Sequence, residues 1–161
     1  MYQIVPEGAV IAGPLDFDIA GIPGIEVHGY FTTNPDMVAE MLDFCDSPYL
    51  GMNMDTGNTY ISGQDPVAFC GRFQDKVTHV HVKDVSESLA AMVRGGQTGI
   101  ALSHCSCGKG VNADNITRCL QLLKETNWSG AVSIECNGAD QNIRDSVQFL
   151  RDVLAGSTKP A

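Results

Sequence analysis

Two hydrophobic periods take turns along the chain from Gly24 onward. Short runs alternate apolar and polar at every second residue, the period of a strand. Longer runs place apolar residues three and four apart, the period of a helix. Gly24–Gly29 (GIEVHG), Tyr49–Asp55 (YLGMNMD), Val77–Val85 (VTHVHVKDV) and Ala131–Cys136 (AVSIEC) read as four strands. Between the first two, Asn34, Pro35 and Asp36 supply an N-cap, a first-turn proline and a first-turn acid. The helix they open runs to about Phe44 and carries Val38, Met41, Leu42 and Cys45 on its apolar face.

Asp65 and Pro66 open a second helix with Val67, Cys70 and Phe73 facing inward. Ser86 and Glu87 open a short one that ends near Arg94. Asn112 or Asp114 caps a helix with Ile116, Cys119, Leu120 and Leu123 on one face. The last helix starts near Asp140 and buries Ile143, Val147, Leu150 and Leu154. Residues 1–24 are rich in Gly and Pro, hold no sustained period, and read as an arm or linker; the pattern near Ala9–Ala12 allows a short strand without requiring one. Residues 25–155 form the domain, and 156–161 a frayed tail.

The order β-α-β-α-β-α-α-β-α implies an α/β fold with parallel strands joined by right-handed crossovers. Four such units make half of a (β/α)8 barrel, which takes about 250 residues in full. A small open sheet, and a half-barrel completed by another chain, are the two alternatives.

Composition narrows the partners. The 161 residues are 43% hydrophobic and 18% charged, with a net charge of −9. Ten Lys and Arg against nineteen acids leave no basic patch for phosphates. That excludes nucleic acid and anionic membranes and favours a small neutral substrate, or one held by a metal. No run approaches the roughly 20 apolar residues of a membrane span, and MYQIVPEGAV has no signal-peptide pattern. Cys45, Cys70 and Cys119 fall on helix faces, where reduced cysteine acts as a small hydrophobe. The expectation is a cytoplasmic protein with reduced thiols.

Each strand ends in polar residues able to bind metal. They are Glu26 with His28, Asp55 with Asn58, His79, His81 and Lys83, and Glu135 with Asn137. In parallel α/β folds ligands bind at those carboxyl ends. Alternation puts Glu26 with His28 on one face of their strand. It does the same for Asn53 with Asp55, for His79, His81 and Lys83, and for Ser133 with Glu135. Polar side chains on buried strands are costly unless they pair or hold an ion. Two Glu, one Asp and one His form an oxygen-rich set that suits Mn²⁺, Mg²⁺ or Co²⁺ better than a thiophilic ion.

The motifs IEVHG, NMDTGN, VTHVHVKD followed by GKGVN, and VSIEC resemble, in order and spacing, the xylose-isomerase-like barrel superfamily of sugar isomerases and epimerases. DTGN, GQDP and HVHVKD together look especially like inosose dehydratases. The resemblance covers Gly24 to Leu154 and corresponds to strands five to eight of the family barrel. It implies a divalent metal, Mn²⁺ foremost, on Glu26, Asp55, His81 and Glu135. It further implies Glu26 and Glu135 as proton-exchanging catalytic residues. His28, Asn58 and Lys83 become substrate contacts or their support.

Plainer readings stand beside these. Asp55 alone caps a DTGN turn. His79, one layer deeper than His81, is a core histidine. Lys83 pairs with Asp84 or another carboxylate. His104-Cys105-Ser106-Cys107 lacks zinc-site spacing, and Gly108-Lys109-Gly110 lacks the first glycine and the hydroxyl of a P-loop. Both belong to a long loop, 95–110.

The preferred function is metal-dependent isomerisation or epimerisation of a sugar or polyol, through proton abstraction beside a carbonyl and a metal-stabilised enediolate. One alternative is a lyase or dehydratase acting on a keto-sugar. Another is an inactive half-barrel, or a subunit that completes its barrel as a homo-oligomer or with a partner chain. Apurinic endonucleases share the superfamily, but their grip on DNA is at odds with the acidic charge.

Overall fold

The computed structural model describes residues 2–4, 10–12, 24–45, 47–95 and 100–156, with the backbone alone at 2–4, 10–12 and 45. One six-stranded sheet organises the chain. Its strands are β1 (Tyr2–Ile4), β2 (Val10–Ala12), β3 (Gly24–Glu26), β4 (Gly51–Asp55), β5 (Val77–Val82) and β6 (Ala131–Ile134), in the order β2-β1-β6-β5-β4-β3. The four expected strands are mutually parallel and lie side by side in chain order.

The segment read as an arm contributes differently from its sequence pattern. Strands β1 and β2 pair antiparallel with each other, and β1 pairs antiparallel with β6. Ala9, the remainder of that arm and residues 157–161 of the tail lie outside the described residues.

Among the described residues the six α-helices are α1 (Pro35–Cys45), α2 (Thr56–Ile61), α3 (Pro66–Phe73), α4 (Glu87–Val93), α5 (Ala113–Glu125) and α6 (Asp140–Leu154). Helix α2 replaces the expected DTGN turn. Asp65 caps α3 as expected, accepting from the N–H of Val67 at 2.8 Å and Ala68 at 3.2 Å. Asn112 stands at the cap position of α5 but makes no side-chain cap bond. Its amide instead donates to the carbonyls of Thr56 and Lys83, each at 3.0 Å.

Strands β3, β5 and β6 end sooner than their apolar runs suggest, at Glu26, Val82 and Ile134, and β4 begins later, at Gly51. Past those ends the chain turns away to build the site. The core joins Met52, Met54, Val80, Val82, Val132 and Ile134 of the sheet to Val38 and Leu42, Phe69 and Phe73, and Ile116, Leu120 and Leu123 of the helices. Helix α6 is rotated from expectation. Ser146, Leu150 and Val153 are its buried residues, while Ile143 is half-buried and Leu154 exposed. The rotation lets Ser146 Oγ accept the Cys107 N–H at 2.9 Å while donating to the Asn142 carbonyl at 2.8 Å.

Candidate metal centre

Glu26 is the last residue of β3 and Asp55 the last of β4, His81 lies one residue before the end of β5, and Glu135 follows β6 directly. Parallel pairing therefore brings all four to one edge of the sheet. An irregularity tunes the register. Met52 pairs with Val77, the ladder skips Thr78, and Asn53 and Asp55 then face His79 and His81. A bulge of this kind re-aims the side chains that follow it.

One ligand atom from each of Glu26, Asp55, His81 and Glu135 lies within 4.8 Å of all the others. Two oxygen ligands across one divalent ion are roughly 4–5 Å apart, given bonds of about 2.0–2.6 Å. His81 Nδ1 is 3.1 Å from Glu26 Oε1 and 3.7 Å from Glu135 Oε2. Lys83 Nζ lies 3.0 Å from Glu135 Oε2 and 3.6 Å from Asp55 Oδ2, and it donates to Asn58 Oδ1 at 2.7 Å.

Asp55 is fully buried and divides its work between two oxygens. Oδ1 accepts the Asn58 N–H at 2.7 Å and caps α2. Oδ2, like Glu135 Oε2, is buried with no hydrogen bond; Lys83 neutralises both without the alignment of a bond. Two unsatisfied carboxylate oxygens beside a histidine nitrogen and a third carboxylate form a donor set that fits a divalent cation.

Electrostatics point the same way. Burial raises the Asp55 carboxyl well above its ordinary 3.8, against the pull of Lys83 and with help from the neighbouring Glu135. Burial also pushes the Glu135 carboxyl up, but the neighbouring Asp55 carboxyl and the Lys83 ammonium outweigh that and hold it low. The bond to His81 lowers Glu26 despite burial. Asp55 is thus the carboxyl of the cluster with the strongest hold on a proton.

The remaining sequence candidates fall in distinct places. A cavity of about 330 Å³ opens beside the cluster, lined by His28, Lys83, Glu135 and Asn137 and by Ile100 and Leu102 of the long loop. Asn58 is fully buried and meets this space only through Lys83. His79 is a core histidine bonded to Ser133 Oγ at 2.7 Å. Lys83 turns to Asp55 and Glu135 rather than to Asp84.

Asp84 has a separate task that its place in the sequence hides. Fully buried, its carboxylate accepts the N–H groups of Val85, Gly108, Gly110 and Asn112 at 2.8–3.0 Å. These bonds fold Gly108-Lys109-Gly110 against the end of β5, and a Cβ on Gly110 would collide with the Asp84 carboxylate. Ser103 Oγ adds a bond to the Asp84 carbonyl at 2.5 Å and so fixes the loop that walls the cavity. Burial, with the nearby Asp84 charge, holds the Cys105 thiol up at about 11. Burial likewise pushes Cys107 to about 12, so neither is a ready thiolate ligand.

Comparison with known proteins places the fold. Residues 21–153 match the model of the xylose isomerase-like TIM barrel. The chain belongs to that family. An inosose dehydratase of Lacticaseibacillus casei is 32% identical over 69 residues, covering 41% of this chain and 23% of the relative. An uncharacterised protein of Methanocaldococcus jannaschii is 28% identical over 133 residues, covering 79% of this chain and 39% of the relative. The solved structure of a probable 3-DHS dehydratase, AsbF, from Bacillus anthracis superposes with a TM-score of 0.58 at 22% identity. The match covers 82% of this chain and 48% of that one. The IolI protein, solved with a bound zinc atom, gives a TM-score of 0.54 at 16% identity, covering 77% of this chain and 44% of that one. The chain thus spans less than half the length of these relatives, and the two structures speak to its fold.

Proposed function

We propose that this chain forms the metal-bearing half of a sugar- or polyol-modifying enzyme, and that its reaction is a dehydration of a keto-sugar or keto-polyol. Glu26, Asp55, His81 and Glu135 hold one divalent ion. Mn²⁺ is favoured by three carboxylates and one imidazole, and Zn²⁺ is the competitor that a single nitrogen ligand admits. The observation that carries the reading is the convergence of these four side chains with two buried carboxylate oxygens that have no hydrogen bond. Strands β3 to β6 correspond to the fifth to eighth strands of the family barrel.

When bound, the ion supplies Lewis-acid polarisation of a carbonyl and its neighbouring hydroxyl. The chain's own residues do the rest. Glu135, on the cavity wall, takes the proton from the carbon next to the carbonyl. The C–H electron pair becomes a C=C bond as the hydroxyl on the following carbon departs. That hydroxyl takes the proton back from Glu135 and leaves as water, so the carboxylate is regenerated. Lys83 and His28 hold substrate hydroxyls, and Asn58 fixes Lys83. Ile100 and Leu102 form the apolar part of the cavity wall.

Dehydration is preferred to isomerisation because the named sugar-enzyme relatives are inosose dehydratases. Epimerisation with inversion needs a second group to return the proton to the opposite face, a role open to Glu26. A panel of keto-polyols incubated with the protein and Mn²⁺, followed by NMR, tests the choice. An unsaturated product lacking one water is expected, and is lost in Glu135→Gln. A product of unchanged formula with one inverted or relocated centre overturns the dehydratase reading and selects the isomerase.

A further inference from the structure

Resting on the sugar- or polyol-modifying reading above, we propose that the cavity takes an uncharged keto-sugar or keto-polyol and discriminates against one that bears a phosphate or carboxylate away from its carbonyl. A protein holds such an anion with an unbalanced cationic side chain, a nest of backbone N–H groups or a helix N-terminus. Among the described residues all three are already answered by acids of the chain itself. Lys83 is the one Lys or Arg on the cavity wall, and its charge is balanced. Nζ lies 3.0 Å from Glu135 Oε2 and 3.6 Å from Asp55 Oδ2, and the side chain is buried. With one divalent ion bound and Glu26, Asp55 and Glu135 ionised, Lys83 brings the cluster to zero and leaves no charge for a substrate anion. An ammonium so balanced can still donate to a hydroxyl.

Other cations are engaged away from the cavity. Arg72 pairs with Asp36 and Arg144 with Asp140, Arg94 lies over the Tyr60 ring, and Lys124 donates to the Leu154 carbonyl. Residues 1–23 and 96–99 contain no Lys or Arg. The loop around Gly108-Lys109-Gly110 has the glycines of a phosphate cradle, but its N–H groups turn inward. Those of Gly108, Gly110 and Asn112, with Val85, lie 2.8–3.0 Å from the Asp84 carboxylate, so the nest is filled by a buried anion. Each of the six α-helices described also has an acid at its cap or in its first turn: Asp36, Asp55, Asp65, Glu87, Asp114 and Asp140 in chain order. Those acids answer the positive helix ends that would otherwise draw an anion. A phosphate or carboxylate entering the cavity would lose hydration and meet no counter-charge, which is strongly unfavourable. A hydroxyl group needs only hydrogen bonds, which Lys83, His28 and Asn137 can supply from the wall.

Binding calorimetry on the Mn²⁺-loaded chain tests this, at about pH 8, where a free imidazole is uncharged and His28 does not confuse the comparison. The probes are the neutral keto-polyols of the panel above, each against its phosphate ester, and D-fructose against D-fructose 6-phosphate and 5-keto-D-gluconate. The tightest neutral probe should bind at least about tenfold more tightly than its charged counterpart. Leu102→Lys places an unbalanced ammonium on the cavity wall at a position 74% exposed, so it changes charge without disturbing the core. That variant should narrow the gap between neutral and charged probes, and added salt should weaken its gain. A charged probe that binds the wild type as tightly as its neutral counterpart overturns selection by charge and leaves the sugar-modifying reading standing. So does a gap that Leu102→Lys leaves unchanged. Should no probe of either kind bind, the sugar-modifying reading falls and the selection with it.

Discussion

Asp55 is asked for two incompatible things, and the structure divides them between its oxygens. One oxygen must stay anionic in character to cap α2, while the other sits buried without a hydrogen bond beside Glu135 and Lys83. The result is a carboxyl that keeps its proton in the folded, ion-free chain well above the ordinary 3.8, while the unfolded chain releases it. Between those values folding takes up a proton, so stability falls as pH rises. Glu26 and Glu135 act in the opposite sense: their lowered values stabilise above about 4.5 and lose that contribution as pH drops through the folded values. Urea unfolding of the ion-free protein should therefore show higher stability near about pH 5 than near about pH 8. Asp55→Asn, which keeps the cap, should flatten that decline; an unchanged slope would show that the proton is not on Asp55. At this scale the sequence was only partly legible. Alternation brought out Glu26, Asp55, His81 and Glu135 because strand tips in parallel sheets share an edge. It could not reveal that Asp84 faces away from Lys83 to gather four backbone N–H groups, nor that Asn53 reaches His81, since both depend on the skipped residue at Thr78 and on chain geometry beyond the strand ends.

Helix α2 is the element that links these residues. TGNTYI is a poor helix by propensity, with two Thr, one Gly and one Asn in six residues. It forms because Asp55 caps it and because Thr56, Gly57, Asn58, Thr59 and Ile61 are buried. Thr56 Oγ1 donates to the His81 carbonyl at 3.3 Å and accepts the Lys83 N–H at 3.1 Å, which fastens α2 across the end of β5. Gly57 permits the close approach. A Cβ there would fall inside the Lys83 stem, 2.7 Å from Cδ and nearer still to Cβ and Cγ. Gly57→Ala should cost about 1–3 kcal/mol by overpacking and should also weaken ion binding by displacing Lys83. Equal urea midpoints for variant and wild type would contradict this packing. The long amphipathic helices α5 and α6 were readable from their period, although α6 turned its buried stripe toward Ser146. Helix α2 was not readable, because tertiary burial rather than local preference makes it. Strand β2 falls where a short strand near Ala9–Ala12 was expected, but β1 was hidden for a related reason: a three-residue strand in a Gly- and Pro-rich segment carries too few alternations to count.

The described residues form a four-stranded parallel sheet flanked by helices, with an antiparallel pair beyond β6. Its parallel half belongs to a family whose matched members here are more than twice as long as the stretch they share with it. Parallel strands in chain order concentrate three carboxylates, one imidazole and one lysine at a single edge, beside a cavity with polar and apolar walls. Among the described residues no helix is long and apolar enough to cross a membrane. The proposed function rests on that one edge. The most direct test is a Mn²⁺ titration by calorimetry on wild type and His81→Ala at the same protein concentration. One ion per chain is expected for the wild type, with more than about a hundredfold weaker binding in the variant, since losing a ligand should exceed the loss of a supporting residue. Equal affinity in the two proteins, or a wild type that takes up no Mn²⁺, would contradict a shared cation at these four side chains.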